Sequence, residues 1–482
     1  MTLSNKRIKN IETFKKKTGD APDVTYKDYP IKNKAITIVY ANSVSSSVNI
    51  NDFILRRLDE DKNDIDDKNI FNYIKNFIPN NASKEVNKIN EALYYLFSGF
   101  TVVLFDDVDK AIVFENRAIL TSPISRSENE KSLKGPSDAF CENYQMNIGL
   151  LRRKLKTHNL WFKEAIVGEK SKTKVSLFYL NDICNKKLVN DIYEKINNIE
   201  IDYVGNTNYI IDKISNTNRS IFPTTLSTER PDYAVQKLTE GRIILMIENS
   251  NEVIILPCLF FDFLKNPEDY YEKTPNTFLN RIIRSVSFFL ALLTPAIYIS
   301  LMAFNIEAIP SGLLINLSIQ KDGVPFSTVF EILVMSFMFQ ILRESDLRFP
   351  GKGSSSISIV GALVLGQAAV EAGIVSPITI IIVGISAVSS LAFNSIELIN
   401  SLRWWQLIFI LLAYLFGFIG VMFGLIIMFA FLVSTTSLGK PYFEPFEPFT
   451  KNLINDGIFL KKSFKFNPKN IFNKEDNNEK DN

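Results

Sequence analysis

Polar and apolar positions divide this chain in two. Up to about Pro275, short apolar runs alternate with stretches rich in Lys, Asn, Asp and Glu, the pattern of half-buried strands and amphipathic helices. From Phe278 to Val433, apolar stretches of membrane-spanning length follow one another. The fold class this predicts is an α/β soluble domain of two related lobes, followed by an α-helical polytopic membrane domain with about four transmembrane helices and an amphipathic helix. In the first lobe, Lys34–Tyr40 reads as a strand. Asn51–Leu58 reads as a helix with Asn51 or Asp52 near its N-cap, and Lys88–Ser98 as a helix stopped by Gly99. Runs 101–105 and 111–114 flank the acidic turn Asp106–Asp109 as a hairpin. About 140 residues later the order recurs: a strand at Lys174–Tyr179, a helix at Leu188–Ile196, a helix at Tyr233–Thr239 stopped by Gly241, and a hairpin of 243–247 with 253–256 around Glu248–Glu252.

These elements set the expected boundaries: a mobile N-terminal segment at 1–30, a first lobe at 31–125, a linker with a basic helix at 126–160, and a second lobe at 161–275. A transmembrane domain at 276–438 and a cytoplasmic tail at 439–482 complete the chain. In the linker, Asn147–Leu155 is a basic amphipathic helix. Its Arg152, Arg153 and Lys154 are suited to anionic lipid, to an acidic partner, or simply to solvent.

The membrane part opens with a span at about 286–304 that carries Pro295. Arg281 and Arg284 precede it, which places that end in the cytoplasm. Further spans follow at 357–374, 378–396 and 404–433, the last unusually long. Phe326–Leu342 carries Glu331 and Gln340 and reads as an amphipathic helix at the interface or packed inside the assembly. Four spans return the lysine-rich tail to the cytoplasm but leave Arg343, Arg348 and Lys352 outside; five spans reverse both outcomes.

The 357–374 stretch organises the rest. Gly361, Ala362, Gly366, Ala369 and Gly373 give it a small-residue side for close helix packing. Val360, Val364, Gln367 and Glu371 form a second helical stripe, with Leu363 next to it. Gln367 and Glu371 are costly against lipid, so the stripe reads either as a pore lining or as the buried side of an ordinary bundle helix. If it lines a pore, Val360, Leu363 or Val364 is the expected apolar gate, and Gln367 and Glu371 a wet mouth.

Composition narrows the chemistry. The formal net charge of +2 points to no nucleic-acid partner, and the three cysteines make no paired framework. His158 is the only histidine, which disfavours a His-based metal site or triad. No phosphate loop or dinucleotide fingerprint is present, and no nucleophile–base or metal constellation stands out. Neither an enzyme, a cofactor nor a metal is expected. A carrier is disfavoured too, because the repeat lies in the soluble part rather than among the spans.

Ordered motifs resemble the A subunit of the spore germinant receptors, the GerA family of endospore-forming bacteria. They are Thr228, Glu229, Arg230, Pro231 and Asp232; Glu-Gly-Arg at 240–242; Pro267, Glu268, Asp269 and Tyr270 with the following Tyr-Glu; Gly-Val-Pro-Phe at 323–326; Ile-Leu-Arg-Glu at 341–344; and the 358–370 run. The resemblance implies a subunit in the inner membrane of the spore, with its soluble domain on the cytoplasmic (core) side. It further implies assembly with a permease-like B subunit and a C lipoprotein, and homo-oligomers around a path for monovalent ions opened by nutrient. The 228–232 and 267–270 motifs are then structural or interface elements. The alternative is a non-conducting signalling scaffold that relays nutrient binding to a separate channel.

Overall fold

The computed structural model describes residues 1–31, 34–56, 58, 70–77, 83–118, 130, 134–205, 207–215, 220–346, 354–444 and 446. They fall into two compact units. Among the described residues the first holds 1–215 and 225–258, and the second 220–224 and 259–446.

The first unit contains two five-stranded antiparallel sheets. One is built from β1 (Val24–Ile31), β2 (Lys34–Ala41), β3 (Lys84–Val86), β4 (Phe100–Leu104) and β5 (Ala111–Glu115), in the order β1-β2-β4-β5-β3. The other is built from β6 (Leu160–Val167), β7 (Thr173–Leu180), β8 (Leu226–Thr228), β9 (Ile243–Ile247) and β10 (Val253–Leu256), in the order β6-β7-β9-β10-β8. The orders are the same, and the inner strands bury both faces: Val102, Val103, Ile244, Leu245 and Met246 are fully buried. The helices of this unit are α1 (Arg7–Thr18), α2 (Ser47–Ile50), α3 (Ile70–Phe77), α4 (Ile89–Phe97), α5 (Tyr144–Lys154), α6 (Lys186–Asn197), α7 (Thr207–Ile214) and α8 (Pro231–Thr239).

Backbone detail repeats as well as topology. Gly99 after α4 and Gly241 after α8 both have left-handed φ, +88° and +89°. In the hairpin turns, Asp107 and Asn249 have φ of 64° and 63°, a conformation that Asp and Asn tolerate. Both pairs are 142 residues apart (241 − 99 and 249 − 107). The helix expected from Asn51 or Asp52 starts earlier: Ser46 is its N-cap, accepting from the Asn49 N–H at 3.4 Å.

Two expectations are corrected here. Segment 1–30 is folded, not mobile. α1 buries Phe14 completely, Arg7 hydrogen-bonds to Asp106, Asp28 and Thr37, and β1 pairs with β2 along its length. Three lysines in the last turn of α1 hide the single buried face from a composition reading. In the basic helix, α5, Arg153 is exposed, but Arg152 faces neither solvent nor lipid. Arg152 is fully buried and grips Asp23 with Nε at 3.1 Å and Nη2 at 3.0 Å. Its Nη1 donates to the Leu160 carbonyl at 2.9 Å, and its guanidinium lies 4.1 Å from the Phe97 ring centroid. Arg153 and Lys154 pair with Asp138. Arg152 therefore joins the first lobe (Asp23, Phe97) to the first strand of the second (Leu160). Planar, bidentate and stacked contacts of this kind are ones only Arg can make.

The second unit is helical: α9 (Thr274–Phe304), α10 (Ser311–Lys321), α11 (Thr328–Asp346), α12 (Ser354–Glu371), α13 (Pro377–Ser390) and α14 (Ile396–Ser434), ending in a short pairing of β11 (Thr436–Ser437) with β12 (Lys440–Pro441). Among the described residues, α9 and α14 are long and apolar enough to cross a bilayer, and α13 is a shorter apolar helix.

The single long span expected at 404–433 is corrected, because α14 doubles back. Gly417 has φ 58° and ψ −140°, outside helical geometry. The rings of Trp405 and Phe431 meet at 5.9 Å, whereas a straight helix would hold residues so far apart in sequence about 39 Å apart. A Cβ on Gly420 would lie 2.1 Å from the Leu412 carbonyl oxygen, and one on Gly424 would lie 2.7 Å from the Phe409 ring. The arms touch through glycine faces, as closely packed membrane helices do. The tip at Gly417 abuts Phe304, the last residue of α9. At the other end Ser401 donates to the Ile221 carbonyl, Ser437 to that of Thr224, and Tyr442 to that of Pro223. α14 thus starts and finishes beside one segment, which forms the base of the bundle.

The intervening helices alternate between base and tip. Ser386 of α13 donates to the Ala291 carbonyl of α9 at 2.6 Å and Phe393 meets Phe288, so α13 runs antiparallel to α9. Gly361 of α12 faces Leu342 of α11, and Gly373 faces the Gly323 carbonyl, so α12 runs antiparallel to α11. The Phe326–Leu342 stretch is therefore packed lengthwise in the bundle rather than lying across its end.

Two outcomes test these contacts. Asp23→Ala leaves Arg152 as a buried unpaired charge, and loss of one partner from such a pair costs about 3–5 kcal/mol. Urea unfolding of the full chain in detergent should show the first transition shifted down; an unchanged midpoint would remove Arg152 as the tie between lobes. Gly420→Ala puts a methyl against the Leu412 carbonyl, while a Cβ on Gly384 meets nothing within 4 Å. Helix propensity favours both substitutions by about 1 kcal/mol. Gly384→Ala should hold or raise the thermal midpoint and Gly420→Ala should lower it; the reverse order would contradict the hairpin.

Candidate functional site

α12 has two unlike sides. Gly366 is buried with its Cα face toward Ile380 of α13, where a Cβ would find contacts at 3.6 Å, and Gly361 meets Leu342 of α11 at 3.5 Å. Ala369 and Gly373 are half-buried, and Gly373 ends the helix in a left-handed conformation. Val364, Gln367 and Glu371 are exposed on the single chain. Gln367 Nε2 donates to Glu371 Oε1 at 3.0 Å, one helical turn apart. The structure thus brings Val364, Gln367 and Glu371 onto one uncovered strip and puts Gly361 and Gly366 against neighbouring helices of the same chain. The side chains of Val360, Ala362 and Leu363 lie outside the described residues.

A second polar constellation lies inside the bundle. Glu331, in the first turn of α11, is 1% exposed. Its Oε2 accepts from the Ser376 N–H at 2.8 Å, the Ser376 hydroxyl at 2.8 Å and the Thr379 hydroxyl at 2.9 Å. These donors form the first turn of α13, so the carboxylate caps a helix from another part of the chain, where the helix dipole favours negative charge. The two hydroxyls are 2.9 Å apart. Glu331 Oε1 has no hydrogen-bond partner among the described residues. Sequence reasoning noted Glu331 only as a polar interruption of a short apolar run. The missed signal was an acidic residue inside an apolar helix in a chain that also has a Ser-Pro helix start, Ser376-Pro377, awaiting a cap.

The ordered motifs fold into ion-pair anchors. Arg230 makes a two-pronged contact with Asp232, at 3.1 and 2.8 Å, and donates to the Pro136 carbonyl at 3.1 Å. Pro231 is the first residue of α8, Thr228 donates to Glu130 at 2.6 Å, and the Glu229 carbonyl accepts from the Phe140 N–H. Glu240 holds the buried Lys237 and Arg242. In the second unit, Pro267–Tyr270 forms a single 3-10 turn whose Asp269 is buried under Arg281 and Arg284 from the start of α9. Arg284 also donates to the Leu264 carbonyl at 2.6 Å, and Thr277 to the Asp269 carbonyl at 3.0 Å. Glu268 lies in the same turn. Among the described residues, no group of three or more His, Cys, Asp or Glu could hold a metal ion.

The family model described as "Bacillus/Clostridium GerA spore germination protein" matches residues 12–470. Spore germination protein KA of Bacillus subtilis (strain 168) is 33% identical over 460 residues, covering 95% of this chain and 85% of that protein. Spore germination protein GerQA of Bacillus cereus is 32% identical over 414 residues, 83% of each. A protein of B. subtilis (strain 168) called uncharacterized membrane protein YfkQ is 29% identical over 453 residues, covering 94% of this chain and 88% of it. Among solved structures, the N-terminal domain of the A subunit of the Bacillus megaterium spore germinant receptor GerK3 is 30% identical, spanning 54% of this chain and 98% of that one with a TM-score of 0.43.

Proposed function

The chain belongs to the Bacillus/Clostridium GerA family of spore germination proteins, as a germinant-receptor A subunit, and we propose that several copies of it surround a nutrient-gated path for monovalent cations. The observation that carries this reading is the Gln367–Glu371 pair, exposed on an otherwise apolar helix. In lipid these groups would be left without water. A second copy of α12, or a water-filled lumen, satisfies them, and a ring of copies supplies both. Val364, on the same strip, then forms an apolar collar that blocks ions by withholding hydration, and the Glu371 ring enriches cations at the mouth. By the family resemblance, the complex also includes a permease-like B subunit and a C lipoprotein in the inner spore membrane.

The topology follows from the same bundle. We read α9, α11, α12, α13 and the two arms of α14 each as a crossing. Arg281 and Arg284 start α9 at the base, and Arg343 with Glu344 lies within electrostatic range of Arg403 near the start of α14. Cationic residues gather on the cytoplasmic side, so the base is cytoplasmic. An even number of crossings returns the chain there. The hairpin at Gly417 thereby removes the conflict between the 343–352 charges and the tail that odd and even counts of straight spans leave; Arg348 and Lys352 themselves lie outside the described residues.

Val364→Ala should widen and wet the collar, so spores leak potassium and germinate without nutrient. Glu371→Gln should keep the nutrient requirement while lowering cation flux severalfold. Potassium release from spores of each variant, with single-channel recording of the purified oligomer, is the measurement. A purified oligomer without conductance, with wild-type release from both variants, would leave the chain a non-conducting scaffold of its receptor.

A further inference from the structure

We propose that Glu331, Ser376 and Thr379 form a binding site for one monovalent alkali cation inside each chain. The geometry first fixes how the carboxyl is held. Three donors converge on Oε2, two hydroxyls and one backbone N–H, at 2.8 to 2.9 Å. They form the N-terminal end of α13, a place where a helix dipole attracts negative charge. The carboxyl is 1% exposed, and none of the ion pairs among the described residues involves it. The nearby ammonium of Lys321 is bonded to the Thr328 hydroxyl, one turn before Glu331. A buried carboxylate without a countercharge is strongly disfavoured.

The vacant lone pairs say where the countercharge sits. Oε1 accepts nothing although it is buried. The Ser376 and Thr379 hydroxyls that donate to the neighbouring Oε2 keep oxygen lone pairs for a cation. The set is all oxygen, which selects hard cations over soft ones. It carries a single negative charge, so one monovalent ion neutralises it, whereas a divalent ion would leave a buried net charge.

Position makes the site consequential. Ser386 of α13 meets Ala291 of α9 on an antiparallel course, so the start of α13, nine residues earlier, lies beside the last turns of α9 before Phe304, the residue that meets the hairpin tip. The α13 N-terminus therefore opens inside the bundle, the arrangement by which interrupted membrane helices hold ions. An occupied site locks α11 and α13 together. It lies within one chain and away from the Val364–Glu371 strip, so it stands whether or not the oligomer conducts.

The test is thermal unfolding of the full chain in detergent, titrated with KCl or NaCl against choline chloride at fixed ionic strength and pH. The wild-type midpoint should rise and saturate with at least one alkali cation and stay flat in choline. Glu331→Gln should abolish the rise. Thr379→Val, which removes one oxygen and keeps the carboxylate, should weaken half-saturation by about five- to tenfold. If Glu331→Gln does not fold, the Thr379→Val titration decides alone. Equal midpoints in choline and alkali salts, a full rise in Glu331→Gln, unchanged half-saturation in Thr379→Val, or a rise driven by acid pH without any cation dependence would each overturn the site.

Discussion

In hydrocarbon a helical chain can reverse only where the freed backbone groups find partners and no side chain obstructs the turn. Gly417 meets the second condition: its left-handed φ suits glycine, and a Cβ there would strike Phe304 at 2.8 Å. The reversal decides much else in the helical unit. It brings Gly420 and Gly424 against Leu412 and Phe409 and returns Ser437 and Tyr442 to the level of Ser401. The base is closed by Phe222, stacked on Trp405 and edge-on to Phe260, while Phe260 also meets Tyr442 and Phe288. Aromatic pairs in such geometry add to the apolar area they bury.

The repeat was legible in the sequence because a strand order is written locally. Two glycine stops and two acidic or amide turns sit at equal offsets, and each marks a backbone conformation that few residues accept. The edge strands β1 and β6 were less legible, since polar residues alternate there with apolar ones that need a partner strand to be recognised. Arg152 was misread for a related reason. Its neighbours Arg153 and Lys154 are held at the edge by Asp138, and composition cannot separate the one cation that turns inward. Its buried partner Asp23 is 129 residues away.

The α14 hairpin was illegible to hydropathy. Both arms are apolar, so a sliding window sees one long stretch, and Gly417 is one of several glycines in it. Only the spacing of glycines 417, 420 and 424, with aromatic residues at 405, 409 and 431, carries the fold-back, and that spacing has meaning only once the arms are opposed. The family motifs show the converse. Arg230–Asp232, Lys237–Glu240–Arg242 and Asp269 under Arg281 and Arg284 look like candidates for chemistry, yet each is a buried ion cluster whose charges are paired within its own unit. Such clusters add little net stability over apolar packing but penalise alternative arrangements that split them.

Glu331 and Glu371 show how environment separates two carboxylates of one helical bundle. Glu371 is exposed on the single chain and answered by a single amide, Gln367. Glu331 is enclosed, with one oxygen saturated and the other bare; its charge is committed to holding α11 against α13. α12 connects these two helices, packing Gly361 on the first and Gly366 on the second. α12, which carries the Val364–Glu371 strip, thus touches both helices that the Glu331 cap joins, through its two glycines.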